Sequence, residues 1–473
     1  MRNPKARGVF SGLLLSGTLL VLPMGVAQAQ DNVTVKQFDD GGIYEGTFRN
    51  GRQHGQGTYR LPNGYEYTGS WVDGEIQGQG TARFPNGSIY SGEFRRGKPE
   101  GEGEIIFADG SGYEGAWVDG KIMGEGVATY ADGSVYQGGF KNAQHNGQGV
   151  LQRSNGYVYD GDWLDGVEQG SATITYPDGS VFEGTMAQGQ RSGEGRLTMT
   201  DGLTYVGEWA DGQMSGQGKL TQPNGDVYEG TLVGGLREGA GIMLYENGYR
   251  YAGQFLADNR HGTGTFEGPD GYRYEGGWAD GQISGEGVVT YPDGSVYTGS
   301  FANGLAEGNG RIVYPDGSSY EGGWVAGVIE GNGKANYANG IVYEGGFLNA
   351  KTHGQGTMTY ADGYTYTGGW TQGLRDGEGE AKYPDGTVYR GQFTEGLRNG
   401  IGSITLPDGF SYTGEWREGE MTGSGTATYT NGDVYEGMFR EGKRWGIGTM
   451  RYSSGEVEEG RWQNGAFMGE EEG

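Results

Sequence analysis

A 23-residue period runs through nearly the whole chain and constrains its fold more than any other feature. From Tyr44 onward an aromatic residue starts each unit, and eighteen units follow without insertion or deletion up to Val457. A strict period of this length indicates a repeat architecture, in which each unit is stabilised by its neighbours and not by a central core. Residues 30–43 are predicted to form a lead-in strand, and residues 458–473 a partial unit with an acidic end.

Most of the glycine falls in fixed columns of this repeat. The chain has 104 Gly among 473 residues, and positions 3, 12 and 21 of the unit are Gly in all eighteen copies. Position 14 is Gly in seventeen copies and position 8 in fifteen. Collagen is excluded because it needs Gly at every third residue. Disulfide scaffolds and thiol chemistry are excluded because the chain has no Cys.

Each unit has the pattern of two short strands. Apolar residues at positions 1, 3 and 5 alternate with polar ones, and a second strand is predicted over positions 12–18, with an apolar residue at position 16. The units are joined by Pro-Asp-Gly or a related turn. A three-residue loop ending in a left-handed Gly would pair position 16 with position 1 and position 14 with position 3. We therefore predict an all-β fold, an elongated single-layer antiparallel meander with two strands per unit.

The predicted pairing brings the Gly columns at positions 3 and 14 together, so that aromatic rings can lie across bare backbone. The ring at position 5 alternates between Phe and Trp, and Trp units often carry Ala at position 16. One interpretation is packing kept from a duplicated two-unit block, because a large residue beside a small one preserves local volume. The other interpretation is a regular track of rings for a binding partner.

The rings at positions 1 and 5 form the candidate interaction face. A single sheet layer is expected to leave this face partly uncovered, and large exposed apolar patches mark contact sites. The predicted residues are Trp71, Trp117, Trp163, Trp209, Trp278, Trp324, Trp370, Trp416, Trp462, Tyr67, Tyr113, Tyr159, Tyr274, Tyr320, Tyr366 and Tyr412.

The pattern Y-x-G-x-[FW]-x-x-G-x-x-x-G-x-G-x-x-x-x-x-[DN]-G resembles the MORN (membrane occupation and recognition nexus) repeat. The resemblance covers residues 44 to about 469. It implies β-hairpin repeats that act as scaffolds and dimerise. Some MORN arrays are fused to lipid kinases or SET-domain methyltransferases, and phospholipid binding has been proposed for others. This chain departs from those relatives, since it carries a predicted export signal and no fused enzyme.

Residues 1–29 have the features of a secretory signal peptide. A basic start is followed by an apolar run from Val9 to about Val26 and by the small-x-small pattern Ala27-Gln28-Ala29. We expect cleavage before Gln30 and a periplasmic location. An extracellular location, or an anchor formed by the uncleaved segment, is the alternative.

The negative net charge and the absence of clustered catalytic or metal-binding residue types limit the functions that this sequence supports. A net charge of −27 disfavours nucleic acid and anionic lipid surfaces. The four His lie in different units, and the abundant Asp and Glu are expected to be solvated charge, so no catalytic, cofactor or metal site is predicted. Three of the His follow units without Gly at position 8 (Ala143, Asp258 and Ala350), which suggests a variant turn there.

We therefore predict a non-enzymatic scaffold that binds protein partners, a second copy of itself included, through the aromatic face. A polysaccharide or cell-wall binder is the alternative, because regularly spaced Trp and Tyr also suit stacking on sugars. Phospholipid binding ranks third because of the charge.

Overall fold

The structure is a computed structural model that describes residues 33–470. The predicted signal peptide lies outside the described residues. Residues 33–470 form 39 strands and no helix, so this part contains no helix long and apolar enough to cross a membrane. The chain divides into two compact units: unit 1 comprises residues up to 155 with 163–166, and unit 2 comprises residues 156–162 and those from 167 onward.

The strands alternate between seven and nine residues in length, with a four-residue strand at each end. The first and last are β1 (Thr34–Gln37) and β39 (Ala466–Gly469). The seven-residue strands are β2 (Ile43–Arg49), β4 (Glu66–Val72), β6 (Ile89–Arg95), β8 (Gly112–Val118), β10 (Val135–Lys141), β12 (Val158–Leu164), β14 (Val181–Ala187), β16 (Thr204–Ala210), β18 (Val227–Val233), β20 (Arg250–Leu256), β22 (Arg273–Ala279), β24 (Val296–Ala302), β26 (Ser319–Val325), β28 (Val342–Leu348), β30 (Thr365–Thr371), β32 (Val388–Thr394), β34 (Ser411–Arg417), β36 (Val434–Arg440) and β38 (Val457–Gln463).

The nine-residue strands are β3 (Arg52–Arg60), β5 (Glu75–Arg83), β7 (Lys98–Ile106), β9 (Lys121–Thr129), β11 (Gln144–Gln152), β13 (Val167–Thr175), β15 (Gln190–Thr198), β17 (Gln213–Thr221), β19 (Leu236–Leu244), β21 (Asn259–Glu267), β23 (Gln282–Thr290), β25 (Leu305–Val313), β27 (Val328–Asn336), β29 (Lys351–Thr359), β31 (Leu374–Lys382), β33 (Leu397–Thr405), β35 (Glu420–Thr428) and β37 (Lys443–Arg451).

Consecutive strands pair antiparallel within each unit, from β1 to β11 in unit 1 and from β13 to β39 in unit 2. The predicted register is confirmed. Tyr90, at position 1, pairs with Ala82 of the preceding repeat and with Ile105 of its own repeat, both at position 16. Gly92 pairs on both sides with a position-14 Gly. The all-β meander fold class is likewise confirmed.

The turns between repeats have the predicted three-residue loop. Phe84 N donates to Ser88 O at 2.8 Å and Gly87 N donates to Phe84 O at 2.9 Å, while Gly87 has a φ of 89°. The side-chain oxygen of Asn86 accepts a hydrogen bond from Ser88 N at 3.0 Å. This is a type I turn closed by a left-handed Gly. The Asp or Asn at position 20 therefore holds the turn.

The turns within repeats are tighter than predicted, so the second strand starts at position 9 and not at position 12. Asp73 and Gly74, at positions 7 and 8, both have positive φ, 49° and 95°. Two such residues form the type I′ turn that reverses a hairpin in two residues. The second strand is longer than the first, and a bulge between Gly69 and Trp71 accommodates the additional residues. Gly78, whose φ is 91°, lies opposite this bulge.

The variant turn predicted at the units without Gly at position 8 is wrong. Ala143, Asp258 and Ala350 have φ values of 62°, 69° and 60°, in the same left-handed region as the glycines. The turn is thus preserved. A residue other than Gly is strained in this left-handed conformation, at a cost of about 1 kcal/mol.

We expect Ala350→Gly to stabilise its hairpin by about 1 kcal/mol, because Gly adopts the left-handed conformation without strain. Hydrogen exchange of the residue 350 amide, which donates to Ile329 O at 3.0 Å, measures the local opening free energy. The control is the reverse change, Gly304→Ala, at an equivalent turn where a Cβ atom would meet nothing within 4 Å. Equal protection in both variants and the wild type would contradict the prediction.

Excision of Tyr274–Ser319, two whole repeats, should leave a folded sheet. Phe266 would then meet Tyr320 in the position 16 to position 1 pairing that it now makes with Tyr274. Removal of 12 residues from the same region destroys that register and should expose the chain locally to protease. Circular dichroism and limited proteolysis distinguish the two deletions, and equal damage from both would refute the modular fold.

Candidate binding surfaces

The position-1 tyrosines lie flat across a pair of glycines, except Tyr159, whose repeat has Ala172 in place of one Gly. The Tyr67 ring covers Gly69 and Gly80, and a Cβ atom on either Gly would collide with it. Its hydroxyl donates to Ser70 O at 3.1 Å. The Trp71 ring packs edge-on at 5.5 Å between ring centres. Burial raises the pKa of Tyr67 to about 12.

The position-5 tryptophans are tied to the preceding repeat. Trp71 Nε1 donates to Gly57 O, at position 14, at 3.2 Å. The same bond is made by Trp117, Trp163, Trp278, Trp324, Trp370, Trp416 and Trp462. Trp209 is the exception, because its Nε1 has no hydrogen-bond partner among the described residues.

All sixteen residues of the predicted interaction face lie in these two ring columns, but their rings are buried. The Trp side chains are 2–7% exposed and the Tyr side chains 0–3%. The expectation that a single sheet layer leaves these rings partly uncovered is therefore wrong. That this side of the sheet binds a partner stays a prediction, and other side chains would have to make the contact.

The side chain at position 10 covers the rings. The Arg260 guanidinium lies 4.3 Å from the Trp278 ring centre and 5.8 Å from that of Tyr251, and it donates to Gly281 O at 2.9 Å. A guanidinium stacked on an aromatic face buries its apolar surface while its N–H groups remain bonded. The arginines in this position are Arg191, Arg237, Arg260, Arg375, Arg398 and Arg444.

The Arg column at position 10 was not predicted, although the sequence carries a signal for it. Arg recurs two residues after position 8 in six repeats, and aliphatic residues such as Ile76 occupy the same position elsewhere. A recurrent cation beside two columns of rings is the pattern of stacking. It could have predicted that the rings are covered.

The exposed aromatic surface lies at position 18, near the turns between repeats. We call Tyr291, Tyr314, Tyr337, Tyr360 and Tyr383 of unit 2 the tyrosine row. Tyr314 and Tyr337 are 37% and 42% exposed. Successive members are two strands apart, which is about 10 Å in a sheet.

A second exposed row lies at positions 6 and 9, beside the turns within repeats. In unit 2 we define the aliphatic row as Val233, Leu236, Leu256, Leu305, Val325, Val328, Leu374 and Leu397, all 41–56% exposed. Between residues 233 and 397 these two positions carry one charge, that of Lys351. In unit 1 the same positions hold charged residues such as Arg49 and Lys98.

The side of the sheet that faces away from the rings carries the aliphatic row beside the turns and is mostly polar elsewhere. In unit 2 it carries a groove of about 890 Å³ lined by residues that include Asn309, Arg311 and Glu321, and the last two form an ion pair at 4.0 Å. Residues 33–470 contain no group of three or more His, Asp or Glu side chains that could hold a metal ion. The Asp residues in the turns between repeats, which were expected to be solvated charge only, also accept backbone hydrogen bonds, as Asp293 does from Ser295 N at 2.8 Å.

Comparison with known protein families is consistent with the repeat geometry. The MORN repeat profile matches eighteen times, in phase with the position-1 aromatic residues. The chain belongs to the MORN repeat family. The matched residues are 44–64, 67–89, 90–112, 113–135, 136–156, 159–181, 182–204, 205–227, 228–248, 251–271, 274–296, 297–319, 320–342, 343–363, 366–388, 389–410, 412–434 and 435–457.

No curated protein matches this MORN chain. Among solved structures, the TCP domain of SAS-4 (dCPAP) from Drosophila melanogaster, solved with a proline-rich motif of Ana2 (dSTIL), is 16% identical. That match covers 45% of this chain and 99% of the domain, with a TM-score of 0.18. Streptogramin B lyase is 10% identical over 62% of this chain and 90% of its own, with a TM-score of 0.12. Similarities this low carry no argument about function.

His145 occupies position 10 of its MORN repeat and covers the rings where other repeats use Arg or Ile. Its ring stacks on Tyr136 with 3.5 Å between centres and 9° between planes, and its Nε2 lies 2.6 Å from the Tyr130 hydroxyl. The Trp163 ring packs edge-on at 4.7 Å. Burial lowers the pKa of His145 to about 4.

Acid should destabilise unit 1 through His145. Because the folded pKa is about 4 and the unfolded value about 6.5, the unfolded chain binds the extra proton between them, and stability is lost as the pH falls through that window. We expect His145→Ile, which places the Ile of neighbouring repeats there, to reduce the drop in melting temperature between pH 7 and pH 5. An equal drop in variant and wild type, whose carboxylates are the same, would contradict the prediction.

Proposed function

We propose that this MORN protein is a non-enzymatic scaffold that associates with a second copy of itself through the aliphatic row. The observation that carries the proposal is the run of exposed Val and Leu side chains at positions 6 and 9 of unit 2. Aligned apolar side chains of this kind mark contact sites. The buried Tyr and Trp rings support the scaffold from inside and do not make the contact.

Charge supports a second copy as the partner. The chain carries a net charge of −27, so two copies repel each other over most of their surface. The aliphatic row is nearly free of charge, with Lys351 as the exception at its two positions. Two copies can therefore approach here with little electrostatic cost and with a gain from apolar burial.

The regularity of the repeats supports a role without catalysis. The four His lie in four different repeats, and the polar groups recur in nearly the same arrangement along the array. Nucleophilic catalysis requires a nucleophile, a base and an orienting group in one place. Export to the periplasm is a further part of the proposal, supported by the basic and apolar segments of residues 1–29.

The test is the molar mass of the full chain in solution, measured by light scattering over a wide concentration range. We expect a dimer for the wild type and a monomer for Leu305→Glu/Leu374→Glu, which adds charge to the aliphatic row. The matched control is Val206→Glu/Val288→Glu, which adds charge at exposed Val side chains on the same side of the sheet but away from the aliphatic row, and it should stay dimeric. Circular dichroism verifies that all variants fold. A monomeric wild type, or a charged-row variant that still dimerises, would overturn the proposal.

A further inference from the structure

One place in unit 2 departs from the repeat and opens a cleft on the aromatic side. Position 18 carries a side chain in seventeen of the eighteen repeats and is Gly only at Gly268. Position 16 holds Phe only at Phe266. A Cβ atom on Gly268 would overlap the ring of Tyr249, so the missing side chain leaves room for Tyr249 to lie beside Phe266. A cavity of about 440 Å³, within the range of small-ligand sites, is lined by these two rings and their neighbours.

We call this cavity the Phe266 cleft, and its walls are aromatic. The Tyr249 ring stacks on Phe266 with 5.3 Å between centres and 18° between planes. Tyr272 lies edge-on to Phe266 at 6.2 Å, and the Arg260 guanidinium lies 5.3 Å from the same ring. Tyr249, Phe266 and Tyr272 are half-buried, unlike the fully buried rings at position 1. The cleft therefore offers accessible ring surface.

The Asp270 carboxylate lies at the edge of the aromatic rings of the cleft. Asp270 Oδ2 accepts from the Tyr249 hydroxyl at 3.0 Å, and its Oδ1 accepts from Tyr272 N at 3.0 Å. Asp270 is itself exposed, so its oxygens retain room for further donors. Ring faces next to an accessible carboxylate and a guanidinium suit a ligand that has an apolar face and a rim of hydroxyl groups.

We propose that the Phe266 cleft, continued by the tyrosine row, binds a neutral β-1,4-linked polysaccharide. A pyranose ring presents C–H groups on its face and hydroxyls on its edge, which is the chemistry that the cleft complements. The net charge of −27 disfavours an anionic polymer by repulsion. The site is separate from the aliphatic row, so this proposal does not depend on dimerisation.

The tyrosine row extends the cleft along the sheet. Tyr272, in the cleft, contacts Tyr291 with 6.4 Å between ring centres, and Tyr314 and Tyr337 follow at two-strand intervals. An interval of about 10 Å is close to the length of two sugar rings in an extended β-1,4-linked chain. Each disaccharide could thus meet one tyrosine, which favours a β-linked chain over an α-linked polymer, whose chain coils.

Two substitutions test the cleft with little risk to the fold. Phe266→Val removes the central ring of the cleft and introduces the residue that position 16 of the next repeat carries, Val289, which pairs there with Tyr274 and Tyr297. Asp270→Asn removes the charge but keeps the turn, because Asn occupies position 20 in other repeats. Asp408→Asn is the matched control in a repeat outside the cleft and the tyrosine row.

Isothermal titration of the full chain with cellohexaose and with chitohexaose (N-acetylated) gives the readout. We expect one of them to bind, Phe266→Val to weaken binding by at least about tenfold through loss of a stacking surface, and Asp408→Asn to leave it unchanged. Asp270→Asn should weaken it less than Phe266→Val. Failure of both sugars to bind, or unchanged binding in Phe266→Val, would overturn the proposal.

Discussion

The structure depends on one contact, a tyrosine ring lying across two glycines. Without side chains at positions 3 and 14, the Tyr67 ring rests directly on the backbone of Gly69 and Gly80. The hydroxyl is then close enough to bond to a carbonyl of its own strand, as Tyr67 does to Ser70. A sheet covered in this way buries its largest side chains without a second layer. Stability then accumulates repeat by repeat, since each ring contacts only its neighbours.

The register and the turns between repeats could be predicted because glycine spacing determines them. A left-handed Gly at position 21, such as Gly87, permits one loop geometry, and that loop fixes the pairing of Tyr90 with Ala82. The start of the second strand was missed, although a signal for it was present. It depends on positive φ at positions 7 and 8, where seven repeats carry Asn-Gly or Asp-Gly, the preferred pair of a type I′ turn, as in Asp73-Gly74. The varied residues at position 7 of the other repeats, such as Arg96 and Gln372, hide that signal.

The predicted exposure of the aromatic face is wrong for a different reason. The prediction assumed that a side chain covers only its own strand, so that a single sheet layer leaves its rings exposed. Arg260 instead reaches from one repeat to the next, stacking on Trp278 and bonding to Gly281 O. The rings are therefore covered by long side chains that reach into the next repeat. The alternation of polar and apolar residues within one strand does not reveal such contacts. The same arginines place positive charge against the rings in a chain whose other charges are mostly negative.

In a periodic array, a unique binding pocket can arise only in a repeat whose sequence departs from that of the others. Intact repeats present the same groups at the same intervals, so they can build a long surface but not a unique pocket. Gly268 breaks the pattern at position 18 and Phe266 at position 16, in the same repeat and on the same side of the sheet. The turn nevertheless keeps its geometry, with Gly268 N donating to Tyr272 O at 2.8 Å. The departure thus changes the surface while the scaffold is preserved, the combination expected of a binding site built on a repeat.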